Sequence, residues 1–191
     1  MGCHTWFSNK ISDMPSEDVE VLRERCVREI ESAWIYRTPR GEFIASIKRN
    51  LEDEIKNDGD KMWIDSLTKM SDPKYYDKKI RSYKRDIKIL KDKNAKIRDV
   101  LRVLSKHMIL FSKNLENGYY DLGDLGYGDN YRVHGYPEEV FYDAETAIKF
   151  LENYPQKMIS SGMGKEGMCD EIRNIITEFF KKYPKGKISY G

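Results

Sequence analysis

One stretch of the sequence constrains the fold more than any other: an apolar repeat with heptad spacing runs from Tyr76 to Leu115. Its positions recur at alternating steps of four and three residues, which is the a/d pattern of a coiled coil. Asp72-Pro73 supplies a helix start, so the pattern predicts one long helix over residues 73–115, with a break near Lys93-Asn94 as the alternative. The repeat consists of Tyr76, Ile80, Tyr83, Ile87, Leu90, Asn94, Ile97, Leu101, Leu104, Met108, Phe111 and Leu115.

Asn94 is the strongly polar residue of this repeat, and it takes an a position. A buried Asn at such a position fixes the register or the number of strands in a coiled coil. The seam needs a partner, and two are available: the chain's own amphipathic helices, predicted over 17–36 and 42–70, or a second copy in a homodimer. The first is favoured because the apolar stripes of those helices must be buried as well.

Strand candidates lie near both ends of the chain, where aromatic and β-branched residues cluster. Because a strand cannot stand alone, we expect one small mixed sheet that joins the N- and C-terminal strands. The glycine-rich segment 118–130 is typical of a loop, and 160–168, with three Gly and two Ser, of a mobile connection. The strand candidates are 4–11, 131–134, 139–142 and 187–190.

The predicted fold class is mainly α with a small β-sheet (α+β), built as a helical bundle or hairpin around the long helix. A length of 191 residues favours a single domain, 1–191. Within it, a helical arm, 42–117, is expected to project from an α+β body formed by 1–36 plus 118–191.

Charge is segregated along the chain. Residues 73–106 hold 13 Lys and Arg against four Asp and Glu, a net charge of +9, whereas the whole chain carries only +2. The remainder therefore carries −7, and a charged partner would interact with these parts separately.

Three features predict a protein of a reducing, cytosolic compartment. No stretch approaches the ~18 apolar residues of a membrane span. The N-terminus lacks the charged and apolar regions of a signal peptide. The three cysteines, Cys3, Cys26 and Cys169, are widely spaced and odd in number, which favours free thiols.

The two ends of the chain carry distinctive motifs. The chain opens with Met-Gly-Cys-His-Thr-Trp-Phe and ends with Tyr-Pro-Lys-Gly-Lys-Ile-Ser-Tyr-Gly, and residues 131–137 read Tyr-Arg-Val-His-Gly-Tyr-Pro. In these motifs the chain resembles a family of small bacteriophage and prophage proteins of unassigned function. The resemblance covers about a third of the chain and implies a phage gene expressed in the host bacterial cytoplasm. Here Gly128-Asp129-Asn130 stands where similar proteins often carry a His, and His134 is the substitute.

A set of aromatic and polar residues near the termini and in the glycine-rich region is suited to a nucleotide. Tyrosine rings can stack on a base, and a guanidinium or imidazole can bind phosphate. No G-x-G-x-x-G or G-K-[ST] fingerprint accompanies them. The predicted ligand-binding residues are His4, Trp6, Tyr119, Tyr127, Tyr131, Arg132, His134 and Tyr136.

The basic helix is the predicted partner-binding surface, through Lys84, Lys88, Lys91, Arg98 and Arg102. A host bacterial protein is the expected partner. Nucleic acid is less favoured, because the basic residues surround all exposed sides of the helix as in a solvated coiled coil.

An enzyme is the least favoured interpretation. Cys3, His4, His134 and Cys169 have the ligand types of a zinc site but no CxxC or HxxxH spacing. Cys26 lies in an apolar stripe, where a thiol is inert. We therefore predict no catalytic residue, metal or cofactor.

The sequence thus predicts a phage accessory protein that acts by binding, with a blocked host defence protein as the first hypothesis. A binder or sponge of a small nucleotide signal is the second, and a metal- or thiol-dependent enzyme the third.

Overall fold

The computed structural model describes residues 4–108, 118–128, 130–135, 138–162 and 164–191. In that part of the chain the fold is mainly α with a small β-sheet, which confirms the predicted class. Among the sequence predictions, the heptad positions beyond 108, Cys3 and Tyr136 lie outside the described residues.

The chain divides into two compact units. Unit 1 comprises Met1–Val21 with Ser105–Gly191, and unit 2 comprises Leu22–Leu104. These boundaries differ from those of the predicted body, 1–36 plus 118–191, and of the predicted arm, 42–117.

The helices begin where the sequence offers capping groups. Asp60 accepts a hydrogen bond from the Trp63 amide at 3.0 Å, and Asp72 accepts one from the Lys74 amide at 2.8 Å just ahead of Pro73. The α-helices of the described residues are α1 Ser16–Ser32, α2 Trp34–Arg37, α3 Arg40–Lys56, α4 Lys61–Ser71, α5 Pro73–Lys91, α6 Ile97–Met108, α7 Ala144–Asn153 and α8 Asp170–Lys182.

The prediction of one continuous helix over 73–115 is wrong, because the chain leaves the helix between α5 and α6. A continuous helix would pair the Leu90 carbonyl with the Asn94 amide. Instead, Arg23 Nε donates to the Leu90 carbonyl at 2.9 Å, and the Asn94 amide donates to Asp92 Oδ1 at 2.9 Å. Both ends of the missing helical bond, the Leu90 carbonyl and the Asn94 amide, therefore have other partners. Arg23 Nη2 also donates to the Asp92 carbonyl at 2.8 Å.

The break also changes which side chains are buried. Asn94 is exposed, so it is not the buried polar a position that the heptad pattern predicts. In α6 the buried residues include Val100, Val103 and Leu104, whereas Ile97, a predicted seam residue, is 60% exposed. Leu104 keeps its predicted seam position, but Val100 and Val103 are buried outside the seam, so the buried face of α6 is broader than the heptad pattern predicts and excludes Ile97.

Unit 2 contains a small aromatic and aliphatic core formed by Phe43, Ile47 and Leu67. The seam of α5 packs against the chain's own helices there: the Tyr76 ring lies 5.4 Å from that of Phe43. The Tyr76 hydroxyl also donates to the Thr38 carbonyl at 2.9 Å. This packing follows the intramolecular alternative for the seam.

The described residues of unit 1 form two small sheets. The larger one joins the N-terminal strand to the C-terminal strand, as predicted, but its pairings are all antiparallel, so the predicted mixed character is wrong. The four-stranded sheet has the order β2-β1-β6-β4, and β3 pairs with β5 separately. β2 lies within the predicted loop, because two adjacent tyrosines favour a strand despite the glycines around them. The strands are β1 Thr5–Lys10, β2 Tyr119–Asp121, β3 Tyr131–Val133, β4 Glu139–Phe141, β5 Ile159–Ser161 and β6 Lys187–Tyr190.

One face of the four-stranded sheet forms the core of unit 1. The Phe7 ring of β1 lies 5.1 Å from Phe179 of α8, and the Tyr190 ring of β6 lies 5.8 Å from Phe150 of α7. Burying a side chain of this size contributes roughly 1.5–3 kcal/mol, so these contacts hold the sheet against its helices.

Candidate functional site

The opposite face of the four-stranded sheet carries side chains that the core does not use. Successive residues of a strand point to opposite faces, so Phe7 packs inward while Trp6 and Lys10 lie outward. Apart from Ser8, which is buried, the residues of this outward face are half-buried or exposed. We call it the accessible face; it comprises Trp6, Ser8, Lys10, Tyr119, Asp121, Val140, Tyr142, Lys187 and Ser189.

Two lysines converge on one tyrosine ring of the accessible face. Lys187 Nζ lies 4.7 Å from the centroid of the Tyr119 ring, and Lys10 Nζ lies 5.4 Å from it. Lys10 pairs directly with Tyr119, whereas Lys187 is two strands away and pairs with Ser8. The contact between Lys187 and the Tyr119 ring therefore spans β1.

Two carboxylates lie near this cluster: Asp121 on the accessible face, and Asp13 beyond the end of β1. Asp13 Oδ1 accepts a hydrogen bond from Lys185 at 2.8 Å. That bond holds the pKa of Asp13 below its usual value, and the charge of Lys10 lowers it further. Neither Lys10 nor Lys187 forms an ion pair with any residue that the structure describes. The electron-rich face of Tyr119 therefore stabilises both ammonium groups, and Asp13 adds a longer-range attraction for Lys10.

Further aromatic side chains lie on the same face. Tyr142 follows β4 and is 60% exposed. Partial burial raises the pKa of Tyr119, and the proximity of Tyr142 and Asp13 raises it further. At the other end of β1, the His4 ring lies 6.0 Å from that of Trp6. The face therefore combines π surfaces with two cationic groups.

Two predicted ligand-binding tyrosines belong to the core instead. Tyr131 is fully buried, and its hydroxyl forms a 2.8 Å hydrogen bond with that of Tyr190. Burial raises the pKa of Tyr131 well above its usual value. The Tyr127 ring lies 5.5 Å from Phe179, so the core of unit 1 holds it too.

Arg132 and His134 lie on the separate sheet of β3 and β5. Arg132 is exposed. His134 Nε2 forms a 2.8 Å hydrogen bond with Ser160 Oγ, and its carbonyl accepts a bond from the Tyr154 hydroxyl at 2.7 Å. These bonds hold the imidazole to its own sheet.

Of the predicted ligand-binding residues that the structure describes, Trp6 and Tyr119 lie on the accessible face and His4 lies beside Trp6. Tyr127, Tyr131, Arg132 and His134 lie elsewhere. Sequence reasoning missed Lys10 and Lys187. Alternation along the predicted strands 4–11 and 187–190 already puts Lys10 on the side of Trp6. What the sequence does not contain is the pairing that brings residues 10, 119 and 187 together.

The predicted partner-binding residues lie on α5 and α6 and are exposed. Lys84 and Lys88 form no ion pair with any described residue. Lys91 Nζ lies 2.7 Å from Glu31 Oε1, and Arg102 Nη2 lies 3.1 Å from Asp99 Oδ1. Arg98 completes the set on α6. The free basic charge on this surface is therefore concentrated on α5.

The thiol and metal hypotheses find little geometric support in the described ranges. No group of three or more His, Cys, Asp or Glu there is arranged to hold a metal ion. Cys26 is buried, and Cys169 Sγ lies 3.9 Å from Glu171 Oε2. Likewise, no described helix has the length and apolar character of a membrane span.

An open cleft of about 380 Å³ lies along one side of α7. Phe150 and Tyr154 provide its apolar wall, and Lys149 is the one charged side chain among its described lining residues. A single described cation distinguishes this cleft from the accessible face, which has two.

Comparisons with known proteins add no assignment: no family model, curated protein or solved structure matches the chain. The functional argument therefore rests on the geometry of the chain itself.

Proposed function

We propose that this chain is a phage-encoded accessory protein that acts by binding, and that the accessible face of its four-stranded sheet binds a nucleotide. The observation that supports this most is the convergence of Lys10 and Lys187 on the Tyr119 ring. The phage origin rests on the resemblance of the terminal motifs.

The chemistry of the cluster matches the two parts of a nucleotide. The base offers a π face that stacks on an aromatic ring, and such stacking is worth roughly 1–3 kcal/mol per base. The phosphate offers an anion with which Lys10 and Lys187 can form ion pairs. A cation–π contact at an accessible site contributes only about 0.5–1 kcal/mol. A charge-assisted hydrogen bond to phosphate is stronger, so each lysine gains when it leaves the ring and binds the phosphate.

The sheet fixes the positions from which these side chains reach the ligand. Lys10 lies opposite Tyr119, and Lys187 lies opposite Ser8, each through an antiparallel pairing. Only side-chain rotations are then needed to open the ring to a base. A rigid backbone reduces the entropy lost on binding.

Titration calorimetry with a panel of mono- and dinucleotides tests this function. At least one nucleotide should bind, and Tyr119→Leu should weaken it about tenfold or more, since one stacked base is worth roughly 1–3 kcal/mol. Lys187→Gln should weaken binding while leaving an uncharged nucleoside unaffected. Tyr119→Phe, which keeps the ring, should bind nearly as the native chain does.

Lys157→Gln is the matched control, because Lys157 is an exposed lysine in Gln156–Met158, away from this face. Equal losses for Lys157→Gln and Lys187→Gln would contradict a specific site. So would the absence of binding by every nucleotide in the panel.

A host protein bound through α5 is the second candidate, favoured by the exposed, unpaired Lys84 and Lys88. Blocking a defence component in the host cytoplasm is the role that we propose for this surface. Charge reversal by Lys84→Glu with Lys88→Glu should remove a partner from a host-lysate capture, and Lys157→Glu should retain it. An unchanged partner list would refute this role.

A further inference from the structure

The end of the α3–α4 hairpin in unit 2 exposes three large apolar side chains. Ile55 is 58% exposed in the last turn of α3, and Met62 and Trp63 are 78% and 48% exposed in the first turn of α4. Single exposed apolar residues are ordinary, but a group at one end of a hairpin forms a patch. We call these three residues the hairpin tip.

The tip continues the apolar stripe of the unit 2 core. Along α3, Ile47 is buried, Leu51 is half-buried and Ile55 is exposed, at successive steps of four residues. Residues at this spacing share one face of a helix. The apolar stripe of α3 therefore continues past the buried core to a side chain that is exposed to solvent.

The tip lies within an acidic stretch of the sequence. Residues 51–65 contain six Asp and Glu against two Lys. None of the six carboxylates forms an ion pair with another described residue. The six are Glu52, Asp53, Glu54, Asp58, Asp60 and Asp65.

This charge does not serve the stability of α3. Glu52, Asp53 and Glu54 lie near the C-terminal end of the helix, where the macrodipole is negative and disfavours anions. Asp60 has a local role as the cap of α4. These carboxylates are unfavourable at the negative end of the helix, and they lie beside exposed apolar side chains. Such a surface is suited to a cationic partner from outside the chain.

We propose that the hairpin tip binds a basic amphipathic helix of another protein. An apolar stripe between two helices accepts the apolar face of a third, as in helix-in-groove recognition. Lysines or arginines flanking that face would then meet the carboxylates. A symmetric dimer through the tip would bring the acidic groups of both copies together, which electrostatic repulsion opposes.

A designed probe tests the proposal: a short peptide of Leu and Lys with the apolar period of a helix, titrated into the full chain by calorimetry. The native chain should bind it, and Ile55→Ser with Met62→Ser should weaken binding at least tenfold. Asp53→Asn with Asp58→Asn should also weaken it at least tenfold. A Leu–Glu peptide with the same apolar face should not bind.

Val21→Ser is the matched control, since Val21 is 49% exposed on α1, outside the hairpin. Circular dichroism verifies that each variant is folded, and the Asn pair decides the question if the Ser pair loses helix. The proposal fails if the Leu–Lys peptide does not bind, if both peptides bind equally, or if the tip variants bind as the control does. It also fails if light scattering shows self-association that the Ser pair abolishes.

Discussion

The phenol groups of Tyr131 and Tyr190 form a 2.8 Å hydrogen bond in the interior of unit 1, where both side chains are buried. Each hydroxyl depends on the other, because a buried polar group without a partner costs about 1–3 kcal/mol. At the scale of the residue, this pair illustrates how the fold gives one residue type different roles. Tyr131 stabilises the core, whereas Tyr119 lies on the accessible face.

A double-mutant cycle tests the phenol pair. Tyr131→Phe should lower the free energy of unfolding by about 1–2 kcal/mol, because Tyr190 loses its buried partner. Adding Tyr190→Phe should cost little more, since no unpaired hydroxyl is left. Urea denaturation measures both, and strictly additive losses would contradict the pairing.

Alkaline pH should unfold the protein through its buried tyrosines. Burial raises the pKa of Tyr131, Tyr183 and Tyr190 above the ordinary value of a tyrosine, and the Asp18 carboxylate raises that of Tyr183 further. Because a raised pKa in the folded state favours the neutral phenol, its stabilisation is complete below about pH 10. It is lost as unfolded tyrosines ionise above that pH.

Denaturation midpoints should therefore fall as pH rises from about 10. Tyrosinate absorbance should show these three phenols ionising only as the chain unfolds. The double Phe variant at 131 and 190 should show a shallower fall. Ionisation of all tyrosines with the fold intact would contradict the burial argument.

At the scale of the element, the break between α5 and α6 is decided by a side chain far away in sequence. Arg23 lies 67 residues before Leu90 and donates a hydrogen bond to its carbonyl. The helix start at Pro73 could be predicted from the sequence, because the cap Asp72 acts within one turn. The heptad pattern favours a continuous helix and leaves a break near Lys93-Asn94 only as the alternative, since it contains no information about Arg23.

Arg23→Met tests this account of the break. The substitution leaves the Leu90 and Asp92 carbonyls without their donor, so we expect a loss of about 1–3 kcal/mol in the free energy of unfolding. Arg28→Met is the control on the same helix, because Arg28 is exposed, and it should change stability by less than about 0.5 kcal/mol. Equal effects in chemical denaturation would show that Arg23 does not stabilise the break.

At the scale of the whole molecule, the two units differ in charge. Leu22–Leu104 contains 22 Lys and Arg and 15 Asp and Glu, a net charge of +7, so the remainder of the chain carries −5. Unit 1 is thus acidic on average, and Lys10 and Lys187 are a local exception on its accessible face. The proposed nucleotide binding there depends on the placement of two cations and not on net charge.

The candidate site could be predicted only in part, because its residues are distant in the sequence. Lys10, Tyr119 and Lys187 come from the start, the middle and the end of the chain. Their residue types suit a nucleotide, and alternation assigns each to a strand face. Their meeting, however, requires the strand order β2-β1-β6, which is a property of the complete fold.

The most direct test of the proposed function is an NMR titration of the full chain with the best-binding nucleotide of the panel. The account predicts that the largest amide shifts fall on Trp6, Lys10, Tyr119 and Lys187, and that the Trp6 indole shifts with them. The same titration of Tyr119→Leu should show small, dispersed shifts. Shifts concentrated on α7 or α5, or none at saturating nucleotide, would contradict the account.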